Sequence, residues 1–124
     1  MNYLLVFLGG GLGASLRHAV NVGCARTCGT HFPYGTFVIN ISGSLVMGLI
    51  AGYLAFKGDA GQAWRLFIMT GILGGYTTFS AFSLDAVLLY ERGEIALAAG
   101  YVAGSVVLSI VGLVAGLALI RHLA

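Results

Sequence analysis

The sequence predicts an all-α membrane protein of four transmembrane helices, the third broken between Gly74 and Thr78. Three observations carry that prediction. Hydrophobic residues make up 59% of the 124 residues and charged residues only 8%, against about 25% charged in an ordinary soluble domain. Such a chain has too little polar surface to remain in water alone. The stretches 1–16, 32–56, 66–84 and 95–120 carry no formal side-chain charge, and about 20 apolar residues cross the roughly 30 Å hydrocarbon core of a bilayer. The stretch GGYTTFSAF, residues 74–82, sets two glycines and a group of hydroxyls inside the third of these runs.

The first span extends from about Tyr3 to Arg26 and contains GGGLGASLR, residues 9–17. It does not read as a secretory signal: no Lys or Arg precedes the apolar run and no clear cleavage site follows it. Cys24 and Cys28 lie four apart on one helical face, where a disulfide fits poorly and two thiols make an incomplete zinc site, so both are expected to be free. A polar turn over residues 28–31 leads to Pro33, expected in the first turn of a second span from about Tyr34 to Phe56. KGDAGQ, residues 57–62, is the clearest loop. The third span starts near Trp64, is interrupted, and resumes to Tyr90. ERGE, residues 91–94, forms the last turn before a fourth span that ends near Arg121. Tyr3, Tyr34, Phe56, Trp64 and Tyr90 fall near span ends, where aromatic belts form. The whole chain, 1–124, reads as one transmembrane domain.

Twenty glycines suit close helix packing in lipid, where small residues let backbones approach. Gly9 and Gly13, Gly48 and Gly52, and Gly100 and Gly104 are each four apart. The net charge of +2 is too small to argue for a nucleic-acid partner. Four spans place Lys57, Arg65 and Arg121 on one side of the membrane and Arg26 and Arg92 on the other, with Arg17 near a boundary. That near balance gives almost no orientation bias. It predicts insertion both ways and pairing with a second copy in inverted orientation. Many transporters build this symmetry from inverted repeats within one chain, and here no internal repeat exists.

Polar groups in hydrocarbon are expensive unless they face protein or water. Asn40 lies deep in the second span, with Thr36 one turn before it and Ser44 one turn after. Tyr101, Ser105 and Ser109 form a stripe down the fourth span, and Ser42, Ser80 and Ser83 add further hydroxyls. Any one Ser or Thr can bond back to its own helix, and Asn40 can serve as interhelical glue. As a track over three helices, these neutral donors suit a small anion. Arg17 and Asp85 are off-centre, and there is no carboxylate pair, metal-ligand cluster or nucleophile–base set, which argues against an enzyme. Phe79 and Phe82 share a helical face. Such pairs are usually core packing, but electron-poor ring edges beside a break can also attract an anion. Unwinding at Gly74 and Gly75 is expected to free carbonyls that need a partner, and carbonyls of a discontinuous helix can coordinate a cation.

GGGLGASLR (residues 9–17), GTFVINISG (35–43) and GILGGYTTFSAF (71–82) together resemble the Fluc/CrcB family of fluoride channels, over nearly the whole chain. The third motif is highly specific; the glycine run alone is weak. The resemblance implies an antiparallel, dual-topology homodimer with two pores in the lipid bilayer of the plasma membrane (the inner membrane in a Gram-negative cell). It implies passive export of cytoplasmic fluoride, which enters acidic cells as HF and dissociates inside. It also implies a structural sodium ion at the dimer centre, not transported, held by the backbone carbonyls of Gly74 and Thr77 in both copies. Phe79 and Phe82 then match the pore phenylalanines and Asn40 the pore amide. Thr36, Tyr101, Ser105 and Ser109 match the polar route, with Ser80 beside it. Two residues depart from the pattern. Ala81 stands where the family often has Thr, which removes a hydroxyl from the third motif, and His18 follows Arg17 where an aromatic residue is common. The alternative is a small dual-topology multidrug exporter, which would be expected to carry an acidic residue within the first span. A membrane assembly protein, with the glycines serving packing alone, is a third reading.

Overall fold

The computed structural model describes residues 1–57 and 61–123. Its helices are α1 (Asn2–Cys28), α2 (Tyr34–Lys57), α3 (Gln62–Arg65), a π-helix (Leu66–Leu73), α4 (Gly74–Tyr76), α5 (Ser80–Glu91) and α6 (Ile95–Leu123). Four segments are long and apolar enough to cross a membrane: Asn2–Cys28, Tyr34–Ala55, Gln62–Glu91 and Ile95–Leu123. The four expected spans are therefore present, each within a few residues of its expected bounds. Three of the six residues of the KGDAGQ loop, 58–60, lie outside the described residues. Both cysteines are free.

The connections follow from turn chemistry. Gly29 ends α1 at φ 85°, its N–H bonded to Ala25 O. Pro33 stands just before α2 rather than in its first turn; its carbonyl accepts the Phe37 N–H at 3.1 Å. Gly93 turns the chain from α5 into α6 at φ 83°. There Gly93 N donates to Tyr90 O and Glu94 N to Leu89 O, both at 3.0 Å, the paired bonds of a Schellman motif.

Glycine contacts join the bundle into two tight pairs. A Cβ at Gly9 would lie 2.5 Å from Phe67 O and 3.0 Å from Gly71 Cα, and one at Gly75 would lie 2.5 Å from Gly10 O. These contacts bring α1 against the π-helix and α4, backbone to backbone. Between α2 and α6, a Cβ at Gly116 would lie 2.6 Å from Leu45 O, and one at Gly48 would collide with Leu113 O. Gly100, by contrast, faces open space. The expectation of close packing thus holds for two of the three spaced pairs, at Gly9/Gly13 and Gly48/Gly52. At the third, only Gly104 meets a neighbour, the Phe37 ring at 3.4 Å.

The third span corrects the expected place of the break. Gly74 is helical, at φ −64° and ψ −37°, and α4 runs through Gly75 to Tyr76. The chain leaves the helix at Thr77, where ψ is 159°, and re-enters it at Ser80. Gly75 is needed for close approach to α1, not for unwinding, whereas a Cβ at Gly74 would meet only Met69 O, at 3.6 Å. The π-helix before them is a second departure from regular α geometry, of the kind that often occurs at functional sites.

Candidate functional site

The break lies against α2, and Asn40 holds it there. Asn40 Nδ2 donates to Thr78 O at 2.9 Å, and Thr78 N donates to Asn40 Oδ1 at 2.9 Å. The side-chain amide thus replaces a peptide partner for a residue that has left the helix. Thr78 Oγ1 in turn accepts the Ala81 N–H at 3.2 Å, which caps the first turn of α5. Thr77 stays tied to the preceding turn, through Oγ1 to Leu73 O at 2.9 Å. Two residues along α2, Ser42 Oγ meets Tyr76 OH at 3.0 Å.

These bonds determine which carbonyls are left over. In a continuous helix, Thr78 N would donate to Gly74 O and Ala81 N to Thr77 O. Here Thr78 N is directed to Asn40 and Ala81 N to Thr78 Oγ1. Gly74 and Thr77 therefore lose their helical donors at the same break. An oxygen so released in an apolar setting needs another partner. Both residues line an open groove of about 490 Å³ between α2, the break and α6.

Asn40, Phe79, Phe82, Ser105 and Ser109 line that same groove. Five of the residues proposed for an anion route thus share one concavity with both proposed carbonyl donors. Phe79 and Phe82 have ring centroids 5.6 Å apart. Phe82 is buried, whereas Phe79 is 77% exposed on the open side of the groove. Ser105 Oγ and Ser109 Oγ are buried with no hydrogen-bond partner. They do not bond back to their own helix, as Ser83 does to Phe79 O.

Three sequence-chosen residues fall elsewhere. Thr36 is buried and lines a second cavity, of about 420 Å³, with Asn21, His31, Asp85 and Arg92. Tyr101 is fully buried. Its ring centroid lies 5.2 Å from that of Phe82, tilted, and 5.4 Å from that of Phe32, edge to face, and its hydroxyl donates to Asp85 Oδ2 at 3.2 Å. It sits between the groove, through Phe82, and the second cavity, through Asp85. Ser80 lies on the surface, its hydroxyl 3.4 Å from Thr78 Oγ1, and lines neither cavity. Arg17 lines neither as well. Thr78 was missed from the sequence because its part is played mainly by its backbone; the only signal was its place as the second hydroxyl of GGYTTF. Among the described residues, no group of three or more His, Cys, Asp or Glu side chains could hold a metal ion, so any cation at the break would rest on neutral oxygens.

Fold and site together define a small polytopic helical membrane protein, with an amide-clamped break in its third span opening on a groove of neutral donors and aromatic rings. The profile of the family described as CrcB-like protein, Camphor Resistance (CrcB) matches residues 4–117, and the chain belongs to that family. It is 78% identical over 123 residues to the fluoride-specific ion channel FluC 2 of Nitrobacter hamburgensis, covering 99% of each chain. It is 74% identical to the fluoride-specific ion channel FluC of Rhodopseudomonas palustris strain BisB5, over 98% of each. Against the protein of that name from Methylobacterium nodulans the identity is 60%, again over 98% of each.

Proposed function

We propose that this protein is a fluoride-selective, passive ion channel of the cell membrane, and not an enzyme, which lowers cytoplasmic fluoride by letting it leave down its gradient. The observation that carries this reading is the groove, where the Asn40 amide, two unpartnered serine hydroxyls and the Phe79/Phe82 pair converge without a formal charge. A conducting site must replace part of an ion's hydration shell without holding the ion. Neutral O–H and N–H donors and ring edges meet that requirement, whereas a buried arginine would bind an anion too firmly. Ser105 and Ser109 can each donate one O–H. Beyond Phe82, the route continues past Tyr101 and Thr36 to the second cavity.

The working unit in this proposal is a homodimer of inverted copies. The near balance of Lys and Arg across the two faces supports it, as does the exposure of Phe79 on a groove that one chain leaves open. A sodium ion at the dimer centre fits the donor set, since Gly74 and Thr77 present carbonyls deprived of their helical donors and sodium favours oxygen ligands. Those carbonyls would hold it in both copies. When bound, it supplies fixed positive charge that joins the copies and offsets the cost of an anion nearby.

Purified protein in liposomes loaded with potassium fluoride tests the reading. With valinomycin to carry the countercharge, a fluoride electrode should record rapid efflux, and chloride should not follow. Proton-coupled export of organic cations without fluoride efflux would favour the multidrug-exporter alternative. No transport of either kind would leave only a packing role.

A further inference from the structure

The second cavity has an electrostatic problem for any anion that enters it. It lies where α1 and α5 both end, beside Gly29 on one side and Leu88 and Leu89 on the other. The carbonyl end of a helix carries roughly half a negative charge. Asp85 adds a carboxylate to the same wall. The N-terminal end of α2, at Tyr34, Gly35 and Thr36, lines the same cavity and returns only about half a positive charge, so without a further cation the mouth would still repel fluoride before it reached Thr36 and Tyr101.

We propose that Arg92 is the charge-compensating residue of this mouth, a specificity-determining position that offsets much of the negative charge of Asp85 and the two helix ends and so lowers the barrier to small monovalent anions entering the cavity. Its guanidinium is held in place: Arg92 Nη2 donates to His31 O at 2.7 Å, bridging the α1–α2 and α5–α6 connections at the cavity rim. The Gly93 turn fixes its backbone, with Arg92 N bonded to Leu88 O at 3.0 Å. Its sequence neighbours Glu91 and Glu94 are exposed and form no ion pair with it among the described residues. Because a neutral carbonyl anchors it, Arg92 keeps its full charge for the cavity. Arg17, the other candidate from the sequence, does not line this cavity.

This inference rests on the fluoride-channel reading, and its test separates the two. Fluoride efflux from liposomes is measured at subsaturating fluoride for the wild type, Arg92→Lys and Arg92→Gln, at low ionic strength and again with an impermeant salt near 0.5 M, a concentration at which the screening length is only about 4 Å. Arg92→Gln should lower the low-salt flux about three- to tenfold, in the range of modest electrostatic steering. The deficit should close at high salt, and Arg92→Lys should behave nearly as wild type. If Arg92 only braces the two loops, Arg92→Gln will lower flux equally at both salt concentrations, and that result overturns the proposal. If Arg92→Gln yields no folded protein, Thr30→Glu on the exposed rim carries the test by adding an opposing charge. Unchanged low-salt flux in that variant also overturns it. A wild type without fluoride flux would instead overturn the channel reading itself.

Discussion

Replacing Asn40 by aspartate is the sharpest probe of the break. The substitution keeps the shape of the side chain and one of its two bonds, because a carboxylate oxygen can still accept the Thr78 N–H found 2.9 Å from Oδ1. It removes the donor facing Thr78 O and sets a second acceptor 2.9 Å from that carbonyl. Losing the bond costs about 1 kcal/mol, and leaving the carbonyl unsatisfied adds about 1–3 kcal/mol. Interhelical side-chain bonds in membranes average only about 0.6 kcal/mol, because an unfolded segment finds other partners. Thr78 sits at a break fixed on both sides and has no comparable substitute. A loss of about 2–4 kcal/mol shifts the balance from the clamped to the released break by roughly 30- to 1,000-fold. A carboxylate in the groove also repels the anion, by about 4 kcal/mol for unit charges 4 Å apart at an effective dielectric constant of 20. Asn40→Ala separates the two effects, since it removes both bonds without adding charge. Fluoride efflux should therefore fall in both variants and further in Asn40→Asp, while both melt earlier than wild type in detergent. Wild-type flux and melting in both would refute the clamp and reduce Asn40 to a bystander.

Phe79→Ile should slow fluoride efflux and cost about 0.5–1.5 kcal/mol, the worth of its ring pair with Phe82, since the ring is otherwise 77% exposed in the single chain. Phe82→Ile should slow efflux and also cost about 1–3 kcal/mol, since its ring packs against both Phe79 and Tyr101 and each aromatic pair contributes about 0.5–1.5 kcal/mol beyond burial; full flux in both variants would return the pair to packing. Gly75→Ala should destabilise by about 1–3 kcal/mol through overpacking, because its Cβ would lie 2.5 Å from Gly10 O, whereas Gly10→Ala meets nothing within 4 Å and should be tolerated. Equal melting of the two would break the account of the α1 seam. Adding lysines to the loop at residues 57–62 should drive insertion to one orientation and abolish flux, while wild-type termini should label on both faces of the membrane. Labelling of the wild type on one face only would exclude an inverted dimer.

The four spans were legible because hydrocarbon imposes a length and a composition that no other environment demands. The residues proposed for the anion route were chosen for the same reason, and the groove brings several of them together: Asn40, Ser105 and Ser109 stand out only against an apolar background. What the sequence obscured was the role of each glycine. Gly74 and Gly75 beside TTF read as helix breakers, yet both are helical, and at Gly75 a neighbouring backbone requires glycine as firmly as an unusual dihedral angle can. Sequence alone does not distinguish these causes, since the difference lies in where Gly10 stands. The π-helix was hidden for a related reason, because Leu66–Leu73 is an ordinary apolar run and the widening accompanies close packing against Gly9 and Gly13. Ser80 misled in the opposite way. It lies next to Phe79 in the motif, but α5 begins there and turns the hydroxyl towards Thr78 and the surface.

The break and the groove are therefore one construction rather than two neighbouring features. Asn40 uses its carbonyl to take the Thr78 N–H that a helix would give to Gly74 O, and part of its amino group to secure Thr78 O. The same side chain that opens the helix thus releases a carbonyl for the proposed cation and keeps a second Nδ2 hydrogen, not engaged by Thr78, for the proposed anion. Thr78 repeats the pattern at the next step, since its hydroxyl takes the Ala81 N–H that would have closed on Thr77 O. The proposed cation and anion sites, if built this way, cannot be tuned separately: a change that lets Thr78 return to helix supplies Gly74 O with its donor and moves the Asn40 amide out of register. On this account, variants at Asn40 should lose sodium dependence and fluoride flux together. A variant with normal flux and no response to sodium would show that the two sites are independent.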